Sequence, residues 1–325
     1  MTASSQTPAA LQTGLCREWR ASFAVNVRLT LSAHRRGGGD PAYQVDAAGA
    51  VWRTSLTPDG PGTLRVISLQ APASLQAPAS PGPLVIAQAW GPGAAWLLAQ
   101  LPAQLGGYDD SSGFTAKDPV VAELVRRHEG LRVGRSGRLF EALVPAVLEQ
   151  KVVGREAHRA WRYLLRKFGE PAPGPAPAGM RVFPSPRAWA RIPSWDWHRA
   201  GVEGVRARTI ITAAEVAGRL EEVLELAPAE ADQRLRSLPG IGPWTSAEIR
   251  QRAAGDPDAV SVGDYNLPKA VGWTLAGQIT DDAGMLELLA PYAGHRYRVS
   301  RLIELGGSHP PRRGPRMPVR DYRAF

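Results

Sequence analysis

Between Leu238 and Asp264 the chain reads LPGIGPWTSAEIRQRAAGDPDAVSVGD, a stretch whose residue types can hold an anion and present a carboxylate to it. Pro239 fixes φ and ends any preceding helix, while Gly240 and Gly242 can adopt positive φ and leave no side chain in the way. A phosphate can then approach the amides of the turn and the first turn of the next helix, where N–H groups are unpaired and the helix dipole is favourable. That helix is expected to start near Thr245, with Ala247, Ile249 and Ala253 packing inward and the Gly255-Asp256-Pro257 turn ending it. The stretch closes on Asp264, just beyond Val260-Ser261-Val262-Gly263. An aspartate there is either a chemical group beside the bound anion or the N-cap of the next helix. Asn266, ahead of Leu267-Pro268, is an equally good cap.

The elements that must position this stretch divide into two parts. Residues 1–20 read as a disordered N-terminus. From Ala21, Phe23, Val25, Val27, Leu29 and Leu31 alternate as one face of a strand. Short strands follow at Tyr43-Gln44-Val45, Val51-Trp52-Arg53, residues 64–69 and residues 84–87. Between the last two lies SLQAPASLQAPAS, an imperfect tandem repeat read as a loop expansion. Residues 92–105 can form a short helix against the sheet. Residues 21–110 therefore predict a small α+β domain built on an antiparallel sheet.

From Asp118-Pro119, a suitable N-cap and N1 pair, the pattern turns helical, and residues 115–308 predict a mainly α-helical body. Leu139 to Val152 is an apolar helix ending in Gln150-Lys151. Gly154 to Phe168 is amphipathic, with Ala157, Trp161, Leu164, Leu165 and Phe168 inward and His158, Arg159, Arg162, Arg166 and Lys167 outward, either a solvated face or a track for a polyanion. EPAPGPAPAG at 170–179 reads as an extended linker. Trp189, Trp195 and Trp197 form either a packing cluster or a stacking site. Residues 229–238 are the first helix of a hairpin pair centred on 236–245, and further helices are expected at 267–277, 281–292 and 291–305. Residues 309–325 form a Pro/Arg-rich tail able to add non-specific affinity for nucleic acid.

Composition narrows the classes. The 325 residues allow two or three packed domains, and the net charge of +9 suits an acidic polymer. With 35 Arg among the 39 basic residues, however, this is also the composition of a GC-rich genome, which discounts the charge. Cys16 is the only cysteine, so the chain predicts no disulfide framework, zinc site or four-cysteine iron–sulfur cluster. No apolar run reaches membrane-spanning length, and the start lacks the charged region and apolar core of a signal peptide. The expectation is a cytoplasmic, nucleoid-associated bacterial protein that acts as a monomer.

The hairpin LPGIG, Trp244-Thr245 and the Asp264-Tyr265 pair at its spacing from Gly242 together resemble the helix-hairpin-helix (HhH-GPD) DNA glycosylase superfamily, and within it the AlkA-like 3-methyladenine DNA glycosylase II group. The Leu139–Val152 helix, with Gln150, and the Gly204, Arg206, Arg208, Ile210 segment resemble the family too. Clustered branches, the endonuclease III-like and MutY-like enzymes, are excluded on their usual cysteine pattern. The resemblance implies hydrolysis of the N-glycosidic bond of an alkylated purine flipped out of double-stranded DNA, with Asp264 stabilising oxocarbenium character at the sugar. Bifunctional members carry a nucleophilic Lys where this chain has Trp244, so the implied enzyme is monofunctional and leaves an abasic site.

The resemblance also implies a base pocket from Trp244 and Tyr265. Glu248 and Glu304 stand where a Tyr and a Trp occur in the enterobacterial member, either as an anionic pocket or as structure paired with Arg252, Arg298 or Arg301. Trp244 is otherwise a core tryptophan. Implied DNA contacts are Gln150, Lys151 at the family's wedge position (or merely an exposed helix end), Pro239, Gly240, Ile241, Gly242 and Thr245. No organic cofactor is implied; the carbonyls of Arg236, Leu238 and Ile241 match a family site for a monovalent cation. A non-catalytic DNA-binding or damage-sensing protein, or a glycosylase for another modified base, are the competing readings, with a structural scaffold behind them.

Overall fold

Alternating apolar residues between Val51 and Trp90 build the first layer of the molecule. A computed structural model describes residues 14–69 and 82–311. Its antiparallel sheet contains β1 (Leu15–Arg20), β2 (Tyr43–Val45), β3 (Val51–Thr57), β4 (Gly60–Leu69) and β5 (Leu84–Trp90), in the order β1-β5-β4-β3-β2. One face buries Val51, Leu64, Val66 and Ala87 against Leu97 and Leu101. These two leucines come from α2 (Ala94–Ala99) and α3 (Leu101–Gln104). Most of the tandem repeat, from residue 70 on, and the Pro/Arg tail beyond residue 311 lie outside the described residues, as does the first part of the N-terminus.

Two expectations fail at the start of the chain. Residues 15–20, assigned to a disordered terminus, are strand β1, paired along its length with β5 from Leu15↔Ala89 to Arg20↔Leu84. Its side chains are largely exposed, so the pairing rests on backbone hydrogen bonds that leave no apolar alternation to read. The expected strand from Ala21 is instead an irregular segment followed by α1 (Val27–Leu31). Asn26 explains the change: its side-chain oxygen accepts the Leu29 N–H at 3.0 Å and starts a helix.

The helical body follows as α4 (Pro119–Arg127), α5 (Leu139–Leu148), α6 (Gly154–Phe168), α7 (Pro186–Ala190), α8 (Ser194–Ala200), α9 (Gly204–Glu215), α10 (Ala217–Glu221), α11 (Pro228–Arg236), α12 (Pro243–Ala253), α13 (Leu267–Ala276), α14 (Asp282–Leu289) and α15 (Arg296–Gly306). Apolar residues of α5 are buried all round the helix, which makes it the axis of one core. A second core joins α4, α13, α14 and α15 through Val121, Leu124, Val271, Met285, Val299 and Ile303. The segment from α12 to α13, which carries Asp264, crosses from the first core to the second. Among the described residues no helix is long and apolar enough to cross a membrane.

The 170–179 segment is docked rather than extended. Ala172 and Ala176 pack on Trp52, Trp90 and Met180, with the two tryptophan rings stacked at 5.5 Å between centroids. Thr54 Oγ1 also donates to the Arg181 carbonyl at 2.6 Å, tying this segment to β3. The sheet domain is held to the helical body by charge as well. Asp109, fully buried, accepts from the Arg298 guanidinium with both oxygens and from the Val133 N–H at 2.9 Å, while Arg132 Nε lies 3.3 Å away. Removing one member of such a buried network leaves uncompensated charge. Asp109→Ala is therefore expected to lower the unfolding free energy by about 3–5 kcal/mol, read from the denaturant midpoint. A loss under about 1 kcal/mol would show that the domains are held by apolar contact alone.

Candidate active site

The hairpin between α11 and α12 forms because Pro239 and Gly240 follow directly on a completed helix. Gly240 takes a left-handed φ of 88°, and a Cβ there would collide with the Thr209 side chain of α9, so a glycine is required on both counts. Gly242 does not share this conformation. It is the N-cap of α12 at φ −100°, with open space where a side chain would stand. The helix begins at Pro243, ahead of the expected Thr245, because Pro is well suited to the first helical turn. Pro239 and Gly240 are exposed, and among the described residues no protein group accepts from the amides of Gly240, Gly242 and Trp244. They form a ready anion site at a helix N-terminus.

Gln150 reaches this hairpin from the end of α5. Its side-chain amide donates to the Gly240 carbonyl at 2.9 Å and to Thr245 Oγ1 at 2.8 Å. The expected DNA contact is thus a positioning group whose donors are spent inside the protein. The Thr245 hydroxyl is buried in the same bond, and Ile241 belongs to the core, so neither side chain offers a surface contact. Behind them, buried Arg206 donates to the Leu148 carbonyl at 2.7 Å and closes the C-terminal end of α5. Next to Gln150, Lys151 is exposed and adopts φ 54°, the one positive φ outside glycine among the described residues. It lies three residues beyond the end of α5.

Asp264 lies across from Trp244. The indole Nε1–H donates to Asp264 Oδ2 at 3.0 Å. Asp264 Oδ1 accepts the amides of Asn266 at 2.7 Å and Leu267 at 2.8 Å, so it caps α13, and Asn266 makes no side-chain cap. The expected cap is therefore made by Asp264 and not by Asn266, and it engages one oxygen while the other accepts from the indole. Gly263 precedes it at φ 91° and donates its amide to Asp282 at 3.1 Å. Ser261 accepts the Asp264 N–H with its carbonyl at 3.2 Å, and its hydroxyl donates to Glu248 Oε1 at 2.6 Å. Gln251 fastens the same loop through Ala259 O and Ser261 Oγ, both at 2.9 Å. Ser261, Gln251 and Asp282 were not legible as site residues, because their side chains reach partners eight to nineteen positions away.

Glu248 is buried and closed. Its second oxygen pairs with Arg252 at 2.7 Å, an i,i+4 bridge on α12, which corrects its assignment to an open base pocket in favour of ion-paired structure. Arg252 donates onward to the Ala33 carbonyl at 2.9 Å. Arg301 reaches the neighbouring Ser32 Oγ at 2.9 Å and Glu304 Oε2 at 3.0 Å. Glu304 remains 45% accessible, although the desolvating protein around it, with Glu248 adding like charge, raises its pKa above the ordinary value. His34 faces the other side of Arg252, where burial and the charges of Arg53, Arg252, Arg36 and Arg301 hold its pKa well below the ordinary value. That side is a cavity of about 30 Å³, room for a water or two and no more.

The remaining expectations resolve as surface or core. Tyr265 is 70% exposed with the Lys269 ammonium 3.3 Å from its ring centroid, and nothing brings it to Trp244 or Glu248. Trp189 and Trp197 are buried and stacked, whereas Trp195 is exposed, so the three tryptophans are not a stacking site. Lys167 of the basic α6 face pairs with Asp196.

Comparison with known proteins agrees with this geometry. No protein-family model matches the chain. Over 154 residues, 46% of this chain and 30% of the relative, it is 34% identical to a Mycobacterium tuberculosis protein named "Probable bifunctional transcriptional activator/DNA repair enzyme AlkA". It is 28% identical over the same length to the DNA-3-methyladenine glycosylase of Bacillus subtilis, 50% of which is covered. The chain thus matches half or less of each of these curated relatives. The 3-methyladenine DNA glycosylase of Archaeoglobus fulgidus superposes with a TM-score of 0.72 at 19% identity, covering 89% of this chain and 97% of that one. The fold is that of the helix-hairpin-helix glycosylases. Over the 154 matched residues the chain is similar in sequence to proteins named AlkA and DNA-3-methyladenine glycosylase.

Gln150→Ala removes two hydrogen bonds from the hairpin without touching Asp264. It should cost about 1–3 kcal/mol and speed amide exchange at residues 240–245. Unchanged protection there would mean that the hairpin holds its shape without α5.

Proposed function

We propose that the chain is a monofunctional DNA glycosylase of base excision repair, which hydrolyses the N-glycosidic bond of alkylated purines such as 3-methyladenine and 7-methylguanine in double-stranded DNA. The carrying observation is the Asp264 carboxylate, held between the α13 amides and the Trp244 indole beside an open hairpin. A carboxylate fixed in this way can sit beside C1′ of a flipped nucleotide and stabilise developing positive charge without reorganising. It can also orient water, which attacks C1′ while the base departs with the glycosidic electron pair. The Trp244 face suits a cationic alkylated purine by stacking and cation–π attraction. With Trp244 in the position of the bifunctional enzymes' lysine, no amine attacks the sugar, and the product is an abasic site.

DNA would be gripped by the Gly240, Gly242 and Trp244 amides, with affinity falling steeply as salt rises. The wedge position is Lys151, whose ammonium can meet phosphate and whose stem can fill part of the gap left by the flipped base. Carbonyls of Arg236, Leu238 and Ile241 fit a monovalent cation: all are hard oxygen donors on one turn, and Leu238 O accepts a single bond, from Ile241 N–H at 3.1 Å. Such an ion would add positive charge beside a bound phosphate.

Asp264→Asn keeps an oxygen for the α13 cap while removing the charge. On methylated duplex DNA it should release base a few hundred-fold more slowly than wild type, a loss of about 3–4 kcal/mol of transition-state stabilisation, with DNA affinity retained. Strand breaks should follow wild-type reaction only after alkali. If the wild type binds this DNA and frees no base, the reading retreats to a binding protein.

A further inference from the structure

We propose that Arg252, Glu248, Gln251 and Ser261 act as one positioning unit for the Asp264 carboxylate, anchored to the N-terminal part of the chain, a reading that rests on the glycosylase assignment above. These four side chains close a ring of hydrogen bonds. Arg252 Nη1 lies 2.7 Å from Glu248 Oε2 and donates to Gln251 Oε1 at 3.2 Å. At their other ends both partners meet one hydroxyl: Glu248 Oε1 accepts from Ser261 Oγ at 2.6 Å, and Gln251 Nε2 donates to Ser261 Oγ at 2.9 Å. Glu248, Gln251 and Ser261 are all buried.

Each bond of the ring runs in one direction only. A carboxylate can only accept, so the Ser261 O–H points at Glu248 and leaves an oxygen lone pair for Gln251. The Ala259 carbonyl also accepts from Gln251 Nε2, at 2.9 Å, which turns the amide oxygen of Gln251 toward Arg252. A flipped Gln251 would set its oxygen against that carbonyl and its nitrogen against the guanidinium. Such a buried network is rigid while complete and costly once a member is missing.

What the ring holds is the backbone three residues ahead of the carboxylate. Ser261 O accepts the Asp264 N–H at 3.2 Å, and only Val262 and Gly263 lie between them. With Trp244 holding Oδ2, a displacement of Ser261 swings the Asp264 backbone about the indole bond and turns the carboxylate. The ring is anchored in turn from outside α12. Arg252 Nε donates to the Ala33 carbonyl at 2.9 Å, in the turn after α1 (Ser32–His34). The Arg252 carbonyl accepts the Ser136 N–H at 2.9 Å. The N-terminal region thereby orients a side chain only two bonds of the ring from Ser261.

The test is single-turnover base release from methylated duplex DNA, with DNA affinity measured beside it, for Ser261→Ala and Arg252→Lys. Both are made in the wild-type and the Asp264→Asn backgrounds. Ser261→Ala empties the centre of the ring. Arg252→Lys keeps the charge opposite Glu248, and with it the fold, but cannot span Glu248, Gln251 and Ala33 at once. Ser261→Ala should slow release about ten- to a hundredfold and Arg252→Lys several-fold, with affinity within about twofold of wild type. Because the unit acts through the carboxylate, neither should slow Asp264→Asn by more than about twofold further. Unaltered release, a loss matched by weaker binding, or an equal loss in both backgrounds overturns this inference alone. Failure of the wild type to free base from DNA that it binds overturns the glycosylase reading and this inference with it.

Discussion

The Asp264 carboxylate ends one helix and anchors a residue of another, and the rest of the site depends on that division. Oδ1 takes the two amides that open α13, and Oδ2 takes the indole N–H of Trp244 on α12. A carboxylate bound on one side only could rotate about its χ angles. Bound on both, it is fixed relative to the hairpin that α12 continues. The Trp244 bond also ties α12, which packs in the core around α5, to the loop that enters the core around α13 and α15. Stability and site geometry therefore share these contacts, and the site is preorganised by bonds that the fold already requires.

The hairpin is held from behind and left open in front. Gln150 takes the Gly240 carbonyl and the Thr245 hydroxyl, Arg206 closes α5 beneath Gln150, and Thr209 leaves no room for a side chain at Gly240. All of this occupies acceptors and the inner face. The outward amides keep their hydrogens for a ligand, which is what binding an extended phosphate backbone demands. Lys151 stands at the same edge in a backbone conformation that a residue with a Cβ seldom adopts.

How much of this could be read from the chain follows from how local each signal is. The hairpin, Asp264 and Trp244 lie within one stretch whose spacing carries their relation, and β3 to β5 announce themselves by alternation. β1 does not, because an edge strand paired through its backbone needs no apolar face. α1 was obscured by the alternation of Phe23, Val25 and Val27, although the capping side chain of Asn26 was there to be read. The Glu248–Arg252 bridge is an i,i+4 pair and was legible as such. The contact of Gln150 with Gly240 was not, since 90 positions separate the two and a glutamine at a helix end has no preferred partner. Tyr265 shows the converse: adjacency to Asp264 suggested a pocket residue, but the next side chain along an irregular loop points elsewhere.

Shape at this level cannot choose a substrate, because the fold hosts several base specificities and the decision falls to the groups that line the cleft. Here those groups are unusual in kind. Aromatic walls recognise a lesion by stacking, which responds to ring charge and is nearly blind to which edge groups the ring bears. A buried Glu248–Arg252 pair gains little stability over well-packed apolar side chains, and what it does here is orient: Glu248 accepts the Ser261 hydroxyl in the loop ahead of Asp264. Arg252 and Arg301 bind the adjacent residues Ala33 and Ser32, which ties α12 and α15 to the turn after α1. The Glu248–Arg252 pair thus holds the loop ahead of Asp264 through Ser261, while Trp244 holds the carboxylate itself, so two residues of α12 fix the backbone and the side chain of one position.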